Sequence, residues 1–335
     1  MRPASEPAWR FRAGSYRNGM SLTLEQYADE YLPTRGLPWP AAPKANPPKA
    51  KPHLERLPVK AVMWTVYGTL LDVPGGELQF EHPTEFVMDA ALDKVIKEFK
   101  MWQSMSRKPG APAEYMRELY TKALTNLRLT GHGGEKYPEV ASERVWDDIV
   151  KKLQQKEYQF DVATYGAQNE FVKKVAYFFH ASIQGCGAYP GAAAAVRLVA
   201  EGGRHNGLLA DGQCFTPAQI HKAFREQDPA FDVNAYFPAP LRILSAEKRA
   251  KKPSDTLFKA AIDSLKAKGI APHEAIHVGS NLDRDIVPAK KYGFRTALFA
   301  GDKTSLAATK DRVRDPATRP DVLLTELGQI ADVIS

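Results

Sequence analysis

The chain has 335 residues, 44% of them hydrophobic, two cysteines and a formal net charge of +7. That is enough apolar material for one large or two modest packed units, and the lack of any run of about 18 apolar residues excludes a membrane-spanning helix. Cys186 and Cys214 offer neither a disulfide framework nor metal-type spacing, which fits packed thiols in a reducing compartment.

The charge is uneven. Residues 1–60 carry ten Lys or Arg against five Asp or Glu, and ten of the 25 prolines. The run from Leu37 to Pro52 is so rich in proline that extended, polyproline-like backbone is expected. Residues 1–57 therefore read as a basic, Pro-rich arm draped on the surface. Its aromatic residues Trp9, Phe11, Tyr16, Tyr27, Tyr31 and Trp39 are candidate anchors for an unknown protein partner. Arg2, Arg10, Arg12 and Arg17 also give the first residues the look of an organelle transit peptide. The expected location is nonetheless cytoplasmic. Basic charge beside aromatics is the only feature that would suit nucleic acid, which is not an expected partner.

After the arm, Val59 to Val66 is a short Val-rich run that predicts a buried parallel strand. Helical spacing then dominates: Pro83 to Met105, Ala113 to Leu129, Ala141 to Gln155 and Gly166 to Ser182, with Leu92, Val95, Ile96 and Phe99 on one stripe. Further on the pattern alternates. Helices are predicted over Gly191–Glu201, Thr216–Phe224 and Ser254–Lys268, strands over Asn206–Ala210, Leu241–Leu244, Ala275–Val278 and Thr296–Phe299, and a closing helix near Asp321–Val333. Such alternation predicts an α/β fold with a doubly wound parallel sheet and ligands at the strand ends.

The stretch Ala61-Val-Met-Trp-Thr-Val-Tyr-Gly-Thr-Leu-Leu-Asp72 resembles the first motif of the haloacid dehalogenase (HAD) superfamily, in its dehalogenase-like branch. Gly68, Thr69 and Leu70 match, but Thr65 stands where that family has its nucleophilic aspartate, and Tyr67 takes the second polar position. Three further motifs occur in order. Gly207-Leu-Leu-Ala210-Asp211 is similar to the second, with Ala210 in place of the hydroxyl residue that holds a phosphoryl oxygen. Lys251-Lys252-Pro253 resembles the third, with Lys252 in register. Gly279-Ser280-Asn281-Leu-Asp283-Arg-Asp285 resembles the fourth, with Ser280 in place of the first metal-binding acid.

The resemblance implies an α/β core from residues 58–80 and 184–335, with residues 81–183 inserted as a helical cap. It implies catalytic positions at Thr65, Tyr67, Lys252 and Asp285, and ligand-binding positions at Gly68, Thr69, Ala210, Asp211, Ser280 and Asn281. Thr65 cannot supply the ionised carboxylate that the family's covalent chemistry needs, and no nearby His or terminal amine in the sequence would activate its hydroxyl. Thr65 and Ser280 together remove two anionic oxygens that Mg²⁺ would want, so no cofactor and no metal are expected. The expected protein is a catalytically degenerate HAD-like pseudoenzyme whose cleft takes a small anionic ligand or nothing. The alternative is a HAD-like hydrolase with displaced catalytic groups, Asp211 or Asp283 serving as base toward water. Asp283 and Asp285 are otherwise expected to cap the following helix or to pair with Arg284 and Lys252. Thr216, followed by Pro217, is expected to cap its helix.

Overall fold

A computed structural model describes residues 21–105, 111–130 and 133–334. Six parallel strands form one sheet: β1 (Ala61–Trp64), β4 (His205–Ala210), β5 (Arg242–Leu244), β6 (Ala275–Gly279), β7 (Arg295–Phe299) and β8 (Val322–Leu324), in the order β5-β4-β1-β6-β7-β8. A two-stranded antiparallel pair, β2 (Leu71–Asp72) with β3 (Gly187–Ala188), stands apart from it. β1 and β6 are wholly buried, as central parallel strands covered on both faces must be. The chain runs outward from β1 to one edge and then from β6 to the other, which makes the β1/β6 boundary a topological switch point with a crevice beyond the carboxyl ends. The α/β doubly wound sheet expected from the sequence is the fold that forms.

Each face of the sheet has its own apolar layer. One packs Val62, Trp64, Val196, Val199 and Phe224; the other packs Met63, Leu209, Phe258, Ala261 and Leu265. A third apolar cluster belongs to the helices Glu85–Glu98, Pro112–Leu129, Ser142–Gln154 and Gln168–Ile183, which occupy the chain between β2 and β3. Its centre is aromatic: Tyr120, Trp146, Phe171, Phe178 and Phe179 are fully buried, and rings such as Tyr120 and Phe179 lie 4.6 Å apart, within the range where aromatic pairs add to area burial.

Three sequence expectations change. The closing helix over 321–333 is instead strand β8 followed by short helical turns, Leu327–Gln329 and Ile330–Val333. Val322 and Leu324 are buried because this segment completes the sheet beside β7, and a three-residue apolar run is too short for periodicity to separate strand from helix. The helix expected to reach Met105 breaks at Phe99, and Met101–Met105 continues as a 3₁₀ turn. Finally, Tyr27, Tyr31 and Trp39 do not face outward as anchors. Thr23 caps a short helical turn through a reciprocal bond with Gln26, Tyr27 is fully buried, and Tyr31 and Trp39 pack on the helical cluster. Trp9, Phe11 and Tyr16 lie outside the described residues.

Candidate functional site

The carboxyl ends of β1, β4, β5 and β6 bring Thr65, Asp211, Ser245 and Ser280 to one side of the sheet, beneath the helical insert. A cleft of about 760 Å³ opens there. Its floor is Thr65, Lys252, Ser280 and Asp285, its walls include Glu139, Asp211 and Arg284, and the insert contributes Phe80, Leu124 and Val140.

Thr65 follows the last residue of β1, and its amide still donates to Val278 O at 2.8 Å, so its hydroxyl is carried on the rigid end of the sheet. That hydroxyl accepts from Lys252 Nζ at 2.8 Å and donates to Asp285 Oδ1 at 2.9 Å. Lys252 and Asp285 also bond each other directly. The other Asp285 oxygen accepts from the Asn281 amide at 2.9 Å. Burial would push the Asp285 carboxyl up, but the Lys252 ammonium and His277 outweigh it and hold it well below the usual carboxylate range. Both partners are almost completely buried, their side chains 1% and 2% exposed. An ion pair in such surroundings keeps its charges only because each is matched.

Sequence reading missed His277. It lies in β6 opposite Met63, fully buried, with Nδ1 2.9 Å from Met63 O and Nε2 3.4 Å from the Thr65 hydroxyl. The ring is thus held between a backbone carbonyl of β1 and the Thr65–Asp285 pair, with Nε2 3.6 Å from Asp285 Oδ1, and burial lowers its basicity. Its one sequence signal is a polar residue between Ile276 and Val278 in an otherwise apolar strand.

Several predicted residues sit elsewhere. Tyr67 lines the cleft with its ring, but its hydroxyl donates to Gln219 Oε1 at 2.6 Å and meets Thr216 Oγ1 at 2.9 Å. Burial raises its pKa well above the usual phenol value, so it is a fixed wall. Thr216 does not cap its helix: Phe215 holds the cap position, and the Thr216 hydroxyl accepts the Gln213 amide at 2.8 Å. Gly68, Thr69 and Ala210 do not line the cleft. Gly68 has φ +76°, and a Cβ there would meet Ser280 Oγ at 2.9 Å, so glycine is needed for close approach of two loops. Asp283 is turned outward onto Arg312, with two bonds of 2.6 Å, and does not reach the cleft. The cap of the turn after β6 is Asn281, whose side chain accepts from the Asp283 and Arg284 amides at 3.0 Å. Ser254 caps the helix Asp255–Lys266. Arg284 bonds Glu77 at 3.0 Å and lies 3.9 Å from Asp211.

The second acidic feature, Glu139, comes from the insert. Its carboxylate accepts from Ser245 Oγ at 3.0 Å, and burial together with the charge of Asp211 pushes its pKa up to about 7. Asp211 is also raised, by burial against the pull of Lys252 and Arg284; it accepts the Lys252 amide at 2.7 Å. Because the folded state holds the Glu139 proton more tightly than the unfolded chain, this group's contribution to stability falls as pH rises from about 4.5 to 7 and stays at its lowest above that. Glu139→Gln should flatten stability against pH across that window, by on the order of 2 kcal/mol. Urea titrations at pH 5 and pH 8 measure it; an unchanged slope would place the raised proton elsewhere. Among the described residues, no group of three or more His, Cys, Asp or Glu is disposed to hold a metal ion.

Residues 249–330, which carry the Lys252 and Asp285 segments, match a family model described as HAD-hydrolase-like. No curated protein sequence matches the chain. Solved structures that it resembles include the L-2-haloacid dehalogenase of Xanthobacter autotrophicus with chloropropionic acid covalently bound, at 19% identity over 82% of this chain and 97% of that one, TM-score 0.41. The 2-haloacid dehalogenase of Pseudomonas syringae pv. Tomato DC3000 is similar at 16% identity over 81% and 96%, TM-score 0.47. A HAD phosphatase of Thermococcus onnurineus is similar at 16% over 81% and 96%, TM-score 0.41.

Proposed function

We propose that this is a HAD-like protein, similar to the family's hydrolases through residues 249–330, that it is catalytically degenerate and that its cleft holds a small ligand without cleaving it. One observation carries this reading. Where covalent hydrolysis needs an ionised carboxylate, the Thr65 hydroxyl is tied between Lys252 and Asp285, so it is neither charged nor free to attack. Lys252, whose ammonium would otherwise screen a transferring group, is spent on Asp285. An anionic ligand would be met instead by Lys136 and Lys251, exposed residues of the cleft lining. In this reading residues 81–183 act as a cap that selects the ligand, and Mg²⁺ is not required, since Thr65 and Ser280 stand in place of two carboxylates. Of the 1–57 arm, Trp9, Phe11 and Tyr16 are proposed to carry the recruitment of a protein partner.

The test is hydrolysis of p-nitrophenyl phosphate and 2-chloropropionate, each with and without Mg²⁺. Loss of a nucleophile costs about 10⁶ in turnover in a well-studied hydrolase, so the expected rate is that of buffer alone. A wild-type rate well above the blank that disappears in Thr65→Val would sink the proposal.

Glu139 and Asp211 favour a second reading, a hydrolase with displaced groups. Two carboxyls with raised pKa in one cleft are the usual setting for acid–base work near neutrality. Turnover that survives Thr65→Val but vanishes in Asp211→Asn would establish it.

A further inference from the structure

Residues 22–57 cross from the helical insert to the sheet and are fastened to both. On the insert, the Leu22 amide donates to Thr164 O at 3.2 Å, Tyr27 is enclosed by Tyr31, Phe99, Tyr165 and Tyr177 with ring centroids 5.5–6.5 Å away, and Arg35 pairs with Glu98 at 3.3 Å. Lys94 Nζ donates to Pro38 O at 2.6 Å, and Trp39 stands edge-on to Phe178 at 5.2 Å. On the sheet side, the Asn46 amide donates to Asp302 Oδ1 at 2.8 Å and Asn46 O accepts from the Lys303 amide at 2.9 Å. His53 exchanges two backbone bonds with Leu323 in β8, and the Leu57 amide donates to Val333 O at 2.7 Å.

Between these anchorages the segment lies on Gln184–Tyr189, the second of the two covalent connections between insert and sheet. A Cβ on Gly185 would overlap the Ala41 carbonyl, and one on Gly187 would come within 2.8 Å of Ala42 Cβ. The fit there leaves no room for a side chain, which is the close backbone approach that glycine permits. Any rotation of the insert about its two connections must slide or peel this third strand of chain.

We infer that residues 22–57 are a clasp that fixes the helical insert over the sheet and thereby sets the aperture of the cleft. The extended backbone of the proline-rich stretch suits that task, because it spans distance at low conformational entropy and resists both shortening and coiling. Without the clasp, two short connections would allow the hinge motion that is common where a lid covers a site. The loop between the second and third helices of the insert helps on its own account: Gln213 bonds the Ser142 amide at 2.8 Å and Val140 O at 3.1 Å. The inference does not depend on whether the cleft turns over a substrate.

The experiment uses full-length protein in a Cys186→Ala, Cys214→Ala background, with nitroxide labels at Leu129→Cys on the insert and Lys268→Cys on the sheet side, both exposed positions. A protease site is inserted between Pro43 and Lys44, ahead of the Asn46 anchorage, so the clasp is cut only after folding. Pulsed electron spin resonance before and after cutting reads the distance between the two parts. A narrow distribution that broadens and shifts to longer distance on cutting is the expected result. An unchanged distribution after complete cleavage would overturn the inference, and uncut Gly185→Ala, which should dislodge the crossing, gives a second reading of the same quantity.

Discussion

Asp285→Ala is expected to cost about 3–5 kcal/mol of folding stability, because it leaves the Lys252 ammonium buried with only a threonine hydroxyl for company. The expectation rests on burial: the Lys252 side chain is 1% exposed, and rotation to solvent would break the 2.8 Å bond to Thr65. The double variant Asp285→Ala, Lys252→Met should recover most of the loss, since removing both charges removes the desolvation cost along with the attraction. Equilibrium urea denaturation of the single and double variants decides the matter. If the double variant is no more stable than Asp285→Ala, the two charges are not coupled in the way the geometry requires. Such coupling would make Lys252 and Asp285 a structural pair, a role that outlasts any loss of turnover at Thr65.

Gly279→Ala should lower stability by about 2–4 kcal/mol, a larger effect than alanine has at most glycines. A Cβ at 279 would overlap the Asp285 carboxyl itself, and that carboxyl cannot retreat without breaking its bonds to Lys252, Thr65 and the Asn281 amide. Gly269→Ala is the control. It has φ +70° but nothing within 4 Å of a new Cβ, so it should cost only the roughly 1–2 kcal/mol of a left-handed backbone. Equal urea midpoints for the two variants would mean that the site yields easily, and that Asp285 is less tightly positioned than its contacts imply.

Much of this site was legible because parallel strands deliver the residues at their carboxyl ends to one crevice. The positions that the resemblance implies at Thr65, Asp211, Lys252, Ser280 and Asp285 line one cleft: Thr65, Asp211 and Ser280 directly follow β1, β4 and β6, and Lys252 and Asp285 come from the segments after β5 and β6. The resemblance also implies ligand contacts at Gly68, Thr69 and Ala210, yet these do not line the cleft; a motif does not distinguish a residue that touches a cavity from one that supports it. Glu139 was illegible, because it arrives from a loop of the insert and nothing in its neighbourhood distinguishes it from a solvated glutamate. His277 was concealed by its strand, because its partners Met63 O, Thr65 and Asp285 come together only in the fold. The arm misled for a different reason. Proline and basic charge predict the conformation of a segment, but not whether its aromatic residues turn outward or inward, and Tyr27 and Trp39 turned inward.

The contacts of His53 with Leu323 and of Leu57 with Val333 also order events during synthesis. The helical insert is complete by residue 183 and can assemble its aromatic cluster while the rest of the chain is still being made, in keeping with the tendency of early segments to fold as units. The stretch 46–57 has to wait, because its partners Lys303, Leu323 and Val333 are made only after the strands up to β7. Pairings so distant in sequence are slow to form, and until they do the proline-rich stretch trails as an open flap. A chain truncated before residue 322 would carry that flap permanently, marking it for proteolysis even where its helices are already well packed.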